Sequence, residues 1–85
     1  SVMERYPQVM VNLRADSEQK KQFETDQKIR ILVEEAEQKL GRDGRVLVRV
    51  SGTEPLVRVM VEGKDFDTIN TLAVQLAKDI EARLV

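Results

Sequence analysis

The sequence predicts a single α+β domain over residues 1–85, in which two helices cover one face of a mainly antiparallel sheet. Three observations lead to this fold class. Short segments alternate their apolar residues as strands do, two longer segments repeat apolar residues at helical spacing, and the order is strand, helix, strand, strand, helix. Every element therefore has one apolar side, and packing these sides together gives two layers around one core.

The first strand is predicted from Tyr6 to Ala15, where Val or Leu occupies every second position. Residues 1–7 are expected to form an entry linker. The chain opens without Met, which is consistent with a domain excised from a longer protein. Residues 16–25 form a polar connection on the surface after this strand, and Phe23 is the residue of that connection expected to touch the core.

A β-hairpin is predicted at about 45–62, from two strands that each carry valine at every second position. Our hypothesis for the register sets Val50 opposite Val57, which gives the valines of both strands a common face. Arg49 then lies opposite Arg58 on the other face. Like charges in direct opposition are destabilising, and an anion between them or solvent around them would relieve the repulsion.

The two predicted helices flank the hairpin in the sequence. The first is capped by Asp26 or Thr25 and ends at Leu40, where a glycine follows. The second covers about 68–84 and is capped by Asp65 or Asp67. Their apolar stripes consist of Ile29, Leu32, Val33, Ala36 and Leu40 in the first helix and Ile69, Leu72, Ala73, Leu76 and Ile80 in the second.

Composition and charge restrict the function classes that this chain can serve. It has 41% hydrophobic and 34% charged residues, as a globular domain does. A net charge of −1 does not supply the basic surface of a protein that binds nucleic acid or an anionic membrane. The lack of cysteine and histidine removes disulfides, thiolate metal sites and the usual acid–base group near neutral pH. We therefore expect no nucleic acid, no membrane and no metal, and any anion affinity must be local.

The most informative segment is Arg-Val-Ser-Gly-Thr-Glu-Pro at 49–55, which Arg58 follows. Arginine matches the planar, multi-oxygen face of a phosphate. Hydroxyls donate to oxyanions, and glycine lets backbone N–H groups approach a ligand closely. The segment predicts an anion cradle at the hairpin loop, for a phosphate ester. The alternative is an ordinary polar turn of the same composition.

The candidate residues of this cradle have different chemical roles. The predicted phosphate ligands are Arg49, Ser51, Gly52, Thr53 and Arg58. Glu54 is a supporting residue, because a carboxylate repels a phosphate and is expected instead to orient an arginine or a backbone group. No residue is expected to be catalytic, since Ser51 has no base nearby in the sequence. The remaining arginines, Arg14 among them, are scattered and are expected to be solvated.

The run from Arg49 to Glu62 closely resembles the phosphate-binding loop and following strand of the α-D-phosphohexomutases. In that family the loop belongs to the C-terminal, fourth domain. The Ser-Gly-Thr-Glu-Pro string at 51–55 is similar to the phosphoglucosamine mutase branch, whereas phosphomannomutases and phosphoglucomutases more often carry asparagine in place of the glycine. Residues 3–14 also resemble the start of the fourth domain in the glucosamine branch.

The resemblance implies a fold similar to that of the TATA-box-binding protein and a role as the phosphate-binding module of a longer enzyme. Such an enzyme is a cytoplasmic isomerase that interconverts glucosamine 6-phosphate and glucosamine 1-phosphate, on the route to UDP-N-acetylglucosamine and peptidoglycan. Its phosphoserine and its Mg²⁺ belong to other domains, and no matching motif occurs in this sequence. The implied partners are a phosphosugar, its bisphosphate intermediate and the other domains of the enzyme. The isolated chain is expected to hold no cofactor and to catalyse nothing.

Two alternatives stay open at this point. The chain could be the same domain of a phosphomannomutase or phosphoglucomutase, since sugar specificity in this family chiefly belongs to another domain. It could instead be a non-catalytic α+β module that binds a protein through its sheet. Binding of RNA by that sheet is disfavoured, because one Tyr, two Phe and no Trp leave few rings on which bases could stack.

Overall fold

The computed structural model describes residues 6–84, apart from the side chain of Asp43. One antiparallel sheet contains β1 (Gln8–Arg14), β2 (Arg45–Val50) and β3 (Leu56–Glu62) in the order β1-β3-β2. The helices are α1 (Ser17–Thr25), α2 (Gln27–Leu40) and α3 (Phe66–Arg83), with a 3₁₀ turn at Gly41–Asp43. The predicted α+β class with an antiparallel sheet is confirmed. Most of the linker predicted at 1–7 lies outside the described residues.

The hairpin of β2 and β3 has the predicted register. Val50 pairs with Val57, and Arg49 pairs with Arg58. β1 pairs with the other edge of β3, so that β3 is the central strand. Because side chains alternate between the two faces of a sheet, this register directs the valines of β3 to one face and Arg58 to the other.

The core lies between the valine face of the sheet and the apolar stripes of α2 and α3. Both stripes are confirmed: Ile29 and Ala36 of α2 are buried, and five residues of α3 are buried with them. The side chains at the centre of the core are fully buried, namely Val57, Val59, Val61, Ile69, Ala73 and Ile80. None of the helices in residues 6–84 combines the length and the apolar character that crossing a membrane requires.

The segment predicted as a polar connection at 16–25 is helical, and α1 is a third helix that the sequence analysis did not foresee. A capping box starts it, in which the Asp16 carboxylate accepts from the Gln19 N–H at 2.8 Å and the Asp16 N–H donates to Gln19 Oε1 at 2.9 Å. No α1 residue is fully buried, although Phe23 packs against the core. The helix was missed because it lacks an apolar stripe.

Asp26 joins the three helices at one point. It ends α1, and its carboxylate caps α2 by accepting the Lys28 N–H at 2.9 Å. Its other oxygen accepts from Nε of Arg83 in α3, also at 2.9 Å. The hydrogen bond from Arg83, together with that from Lys28, holds the pKa of Asp26 below its ordinary value of 3.8.

Truncation of a core side chain tests the packing of α3 on the sheet. Ile69 is fully buried, whereas Ile31 of α2 is 50% exposed. We expect Ile69→Ala to lower the free energy of unfolding by about 2–5 kcal/mol, through lost burial and a cavity. Ile31→Ala should change it by no more than about 0.5 kcal/mol. Urea unfolding of both variants measures the difference, and equal losses would contradict this assignment of the core.

The pH dependence of stability tests the Asp26 junction. Asp26→Asn keeps a capping oxygen but removes the charge. Because the folded pKa of Asp26 is lowered, its charge stabilises the fold above pH 3.8, and this contribution is lost as the pH falls through the lowered pKa. We expect the variant to be less stable than the natural sequence at pH 7 and the two to converge on acidification. A pH-independent difference in urea unfolding would show that the charge is not responsible.

Candidate functional site

Residues 51–55 form the loop that joins β2 to β3, and hydrogen bonds within the loop define its shape. The Ser51 N–H donates to the Leu56 carbonyl at 3.0 Å, and the Leu56 N–H donates to the Glu54 carbonyl at 2.8 Å. The Glu54 N–H donates to Ser51 Oγ at 3.1 Å. Ser51 and Glu54 are thus held by backbone hydrogen bonds and by the Ser51 side chain, as a preformed binding loop requires.

Two contacts from outside the hairpin hold the 51–55 loop against the β1–α1 corner. The Ala15 N–H donates to the Pro55 carbonyl at 2.9 Å. Lys20 Nζ of α1 donates to the Ser51 carbonyl at 2.9 Å and brings a positive charge to the loop. Lys20 is not among the residues that the sequence predicts for the site. No spacing could have revealed it, because it is far from the loop in sequence and lies on a helix that was not predicted.

Arg49 and Arg58 lie side by side on the exposed face of the sheet, next to the 51–55 loop. Their Cα atoms are direct partners in the register of β2 and β3. Arg58 Nη2 lies 3.2 Å from Glu54 Oε1, and both side chains are about half exposed. This contact is one that an orienting carboxylate would make, while the role of Glu54 in binding stays a prediction. Arg49 has no ion pair or side-chain hydrogen bond within residues 6–84.

The two hydroxyl groups of the 51–55 loop keep the ability to donate. Ser51 Oγ accepts from the Glu54 N–H, which leaves its own hydrogen for another acceptor. Thr53 is exposed, and its hydroxyl forms no hydrogen bond with any other residue that the structure describes. Both groups therefore suit an incoming oxyanion.

Gly52 occupies a position where the fold itself does not require glycine. It is exposed and does not have a positive φ, whereas Gly41 at the end of α2 does, with φ 68°. A Cβ built on Gly52 would meet no heavy atom within 4 Å. A ligand that approaches the backbone here would explain the missing side chain, because close approach is the other common reason for glycine.

The site has no donor set for a metal ion. Among residues 6–84, no group of three or more Asp, Glu, His or Cys side chains is arranged to hold one. Glu54 is the carboxylate of the 51–55 loop, and it is paired with Arg58. The arrangement can bind an anion through charge and hydrogen bonds, and the described residues offer no support for Mg²⁺ in this part of the chain.

Comparison with known proteins identifies the family. A model of the phosphoglucomutase/phosphomannomutase C-terminal domain matches residues 10–79, which is most of the chain. The chain belongs to this family. The match includes β2, the 51–55 loop and β3, so the candidate residues of this phosphohexomutase domain all lie inside the matched region.

Individual relatives are phosphoglucosamine mutases. The chain is 52% identical over 83 residues to the phosphoglucosamine mutase of Alkaliphilus oremlandii, an alignment that covers 98% of this chain and 18% of the relative. It is 48% identical over 84 residues to that of Acetivibrio thermocellus, covering 99% of this chain and 19% of the relative. The chain therefore spans less than a fifth of the length of these relatives.

Two glycine substitutions test whether the fold or a ligand requires Gly52. Gly52→Ala enters open space, so we expect a free energy of unfolding that is unchanged or raised by up to about 1 kcal/mol. Gly44→Ala is the matched control, because its Cβ would lie 2.6 Å from the Glu62 carbonyl oxygen and 2.8 Å from Leu40 Cβ. That overlap should cost about 1–3 kcal/mol. Thermal and urea unfolding compare the two, and a destabilised Gly52→Ala would assign the glycine to the fold.

Proposed function

We propose that this phosphohexomutase domain binds the phosphate of a phosphosugar within a phosphoglucosamine mutase, which interconverts glucosamine 6-phosphate and glucosamine 1-phosphate. One observation carries the proposal: Arg49 and Arg58 are opposed on the sheet surface, beside a loop in which Gly52 and Thr53 are exposed and Ser51 is partly exposed. The relatives named above support the glucosamine branch, because they are phosphoglucosamine mutases about half identical to this chain.

A phosphate would bind through charge-assisted hydrogen bonds on several sides. Arg49 and Arg58 offer planar guanidinium groups that match two phosphate oxygens each. Ser51 and Thr53 donate hydroxyl hydrogens, and the open space at Gly52 leaves the backbone there unobstructed by a side chain. Glu54 Oε1 lies 3.2 Å from Arg58 Nη2 and would help to orient that guanidinium. An anion between the two arginines also removes their mutual repulsion.

In the whole enzyme this domain would hold the phosphate that does not react. Phosphoryl transfer at the other end of the sugar, the phosphoserine and the Mg²⁺ would belong to other domains of a cytoplasmic enzyme. A bisphosphate intermediate has to turn over between the two half-reactions, and a site that recognises phosphate alone serves both orientations. Closure of such a domain over the cleft would position the substrate and exclude water. The chain by itself would bind without catalysis.

Sugar specificity separates this proposal from its nearest alternative. The same site could serve a phosphomannomutase or a phosphoglucomutase, since the matching family model covers both. The 51–55 loop contacts phosphate in this proposal and not the sugar carbons that differ among these substrates. Only the turnover of different phosphosugars by the whole enzyme distinguishes the branches.

Titration of the ¹⁵N-labelled domain with glucosamine 6-phosphate tests the site by NMR. We expect saturable amide shifts centred on the candidate residues, with a dissociation constant on the order of millimolar, because a few exposed contacts must offset the entropy of association. Glucosamine, which lacks the phosphate, should produce none of these shifts. The residues expected to respond are Arg49, Ser51, Gly52, Thr53 and Arg58.

Matched arginine variants control for non-specific charge. Arg49→Ala should raise the dissociation constant at least about tenfold, the size of one charge-assisted hydrogen bond. Arg42→Ala removes an exposed arginine from the 3₁₀ turn and should leave affinity unchanged. Gly52→Ala should weaken phosphate binding without lowering the free energy of unfolding. The phosphate-binding proposal fails if no localised shift occurs up to tens of millimolar, and a sheet that binds a protein partner then becomes the better explanation.

A further inference from the structure

The outer face of the sheet is ordered in rows that cross the strands. Arg49 and Arg58 form one row. Arg14 pairs with Leu56 in the next row toward the loop. Ser51 continues that row on the far side, because its N–H donates to the Leu56 carbonyl at 3.0 Å. Arg14 therefore shares both a face and a row with a candidate phosphate ligand, although the two lie far apart in the sequence.

Arg14 lies diagonally across from Arg58 on the outer face of the sheet. Diagonal positions on one face are about 7–8 Å apart, within reach of a long side chain. Arg14 is exposed and has no ion pair or side-chain hydrogen bond within the described residues. The Asp16 carboxylate nearby in the sequence is already occupied as the cap of α1, at 2.8 Å from the Gln19 N–H. The charge of Arg14 is thus available to a ligand.

The end of β1 is fastened to the 51–55 loop. The Ala15 N–H donates to the Pro55 carbonyl at 2.9 Å, so Arg14 is held next to the residue that ends the loop. A shallow groove of about 320 Å³ is lined by Asn12, Leu13, Arg14, Pro55 and Leu56. Larger grooves lie against the helices, whereas the groove beside Arg14 reaches Pro55, the last residue of the loop.

We propose that Arg14 is a third phosphate-binding arginine of this site, an inference that rests on the function proposed above. Arg49 approaches the phosphate from β2 and Arg58 from β3, while Arg14 approaches it from β1. Glu54 neutralises part of the Arg58 charge, so a third guanidinium restores the excess of positive charge that a phosphate monoester dianion requires. Arg14, which was expected from the sequence to be one of the scattered, solvated arginines, thereby becomes a proposed phosphate ligand.

The test uses the whole 85-residue chain and inorganic phosphate, followed by glucosamine 6-phosphate. Arg14→Gln should raise the dissociation constant for both by about three- to tenfold, and Arg14→Lys should restore part of the affinity through its charge. Arg45→Gln is the matched control, because Arg45 lies exposed on the same sheet face at the far end of β2. In the natural sequence, the Arg14 side-chain Nε–H resonance should shift with added phosphate.

The outcomes distinguish this inference from the function on which it rests. If Arg49→Ala weakens binding while Arg14→Gln behaves like Arg45→Gln, Arg14 is not a ligand and the phosphate site stands without it. If the Arg14 resonance does not move at saturating phosphate, the inference is likewise overturned. If the natural sequence binds neither probe, both proposals fall. Urea unfolding of Arg14→Gln, expected to match the natural sequence, excludes a loss of affinity through misfolding.

Discussion

The position of β3 between β1 and β2 is the constraint on which both the core and the site depend. Its register buries Val57, Val59 and Val61 completely. A shift of one residue would exchange the faces of the strand and would place Arg58 among the apolar side chains of the helices. Burial of an unpaired charge costs several kcal/mol. The packing that selects the register therefore also sets Arg58 beside Arg49 on the outer face.

The opposition of the two arginines gives the outer face its chemical character. Two like charges in one row repel each other, and the ion pair of Arg58 with Glu54 relieves this only in part, because an exposed pair contributes about 0.2–1 kcal/mol. Lys20 adds a further positive charge at the Ser51 carbonyl. In a chain whose net charge is −1, these three cations thus lie together beside the 51–55 loop.

The sequence was sufficient to predict those helices and strands that depend on local periodicity. Alternating valines predicted the hairpin, and the register hypothesised for it is the one observed. The helical stripes predicted α2 and α3, and the observed caps, Asp26 and Asp65, are each one of the two candidates. It was insufficient for α1, whose helical signal is one capping box without an apolar stripe. It also could not show that β1 pairs with β3, since that pairing joins segments distant in sequence. For this reason Arg49 and Arg58 were recognised as neighbours, while Arg14 and Lys20 were not placed near the loop.

Within the hairpin, one set of residues builds the core and a different set forms the candidate site. The inward side chains of β2 and β3 complete the core. Arg49, Gly52, Thr53 and Arg58 are exposed and do not belong to it. Backbone hydrogen bonds from Ser51, Leu56 and Ala15 hold the loop without using the groups that would bind a ligand. Because these bonds are made by backbone groups, the Thr53 hydroxyl and the hydroxyl hydrogen of Ser51 keep the ability to donate to an anion. A loop of this kind loses little conformational entropy when it binds, which favours affinity from few contacts.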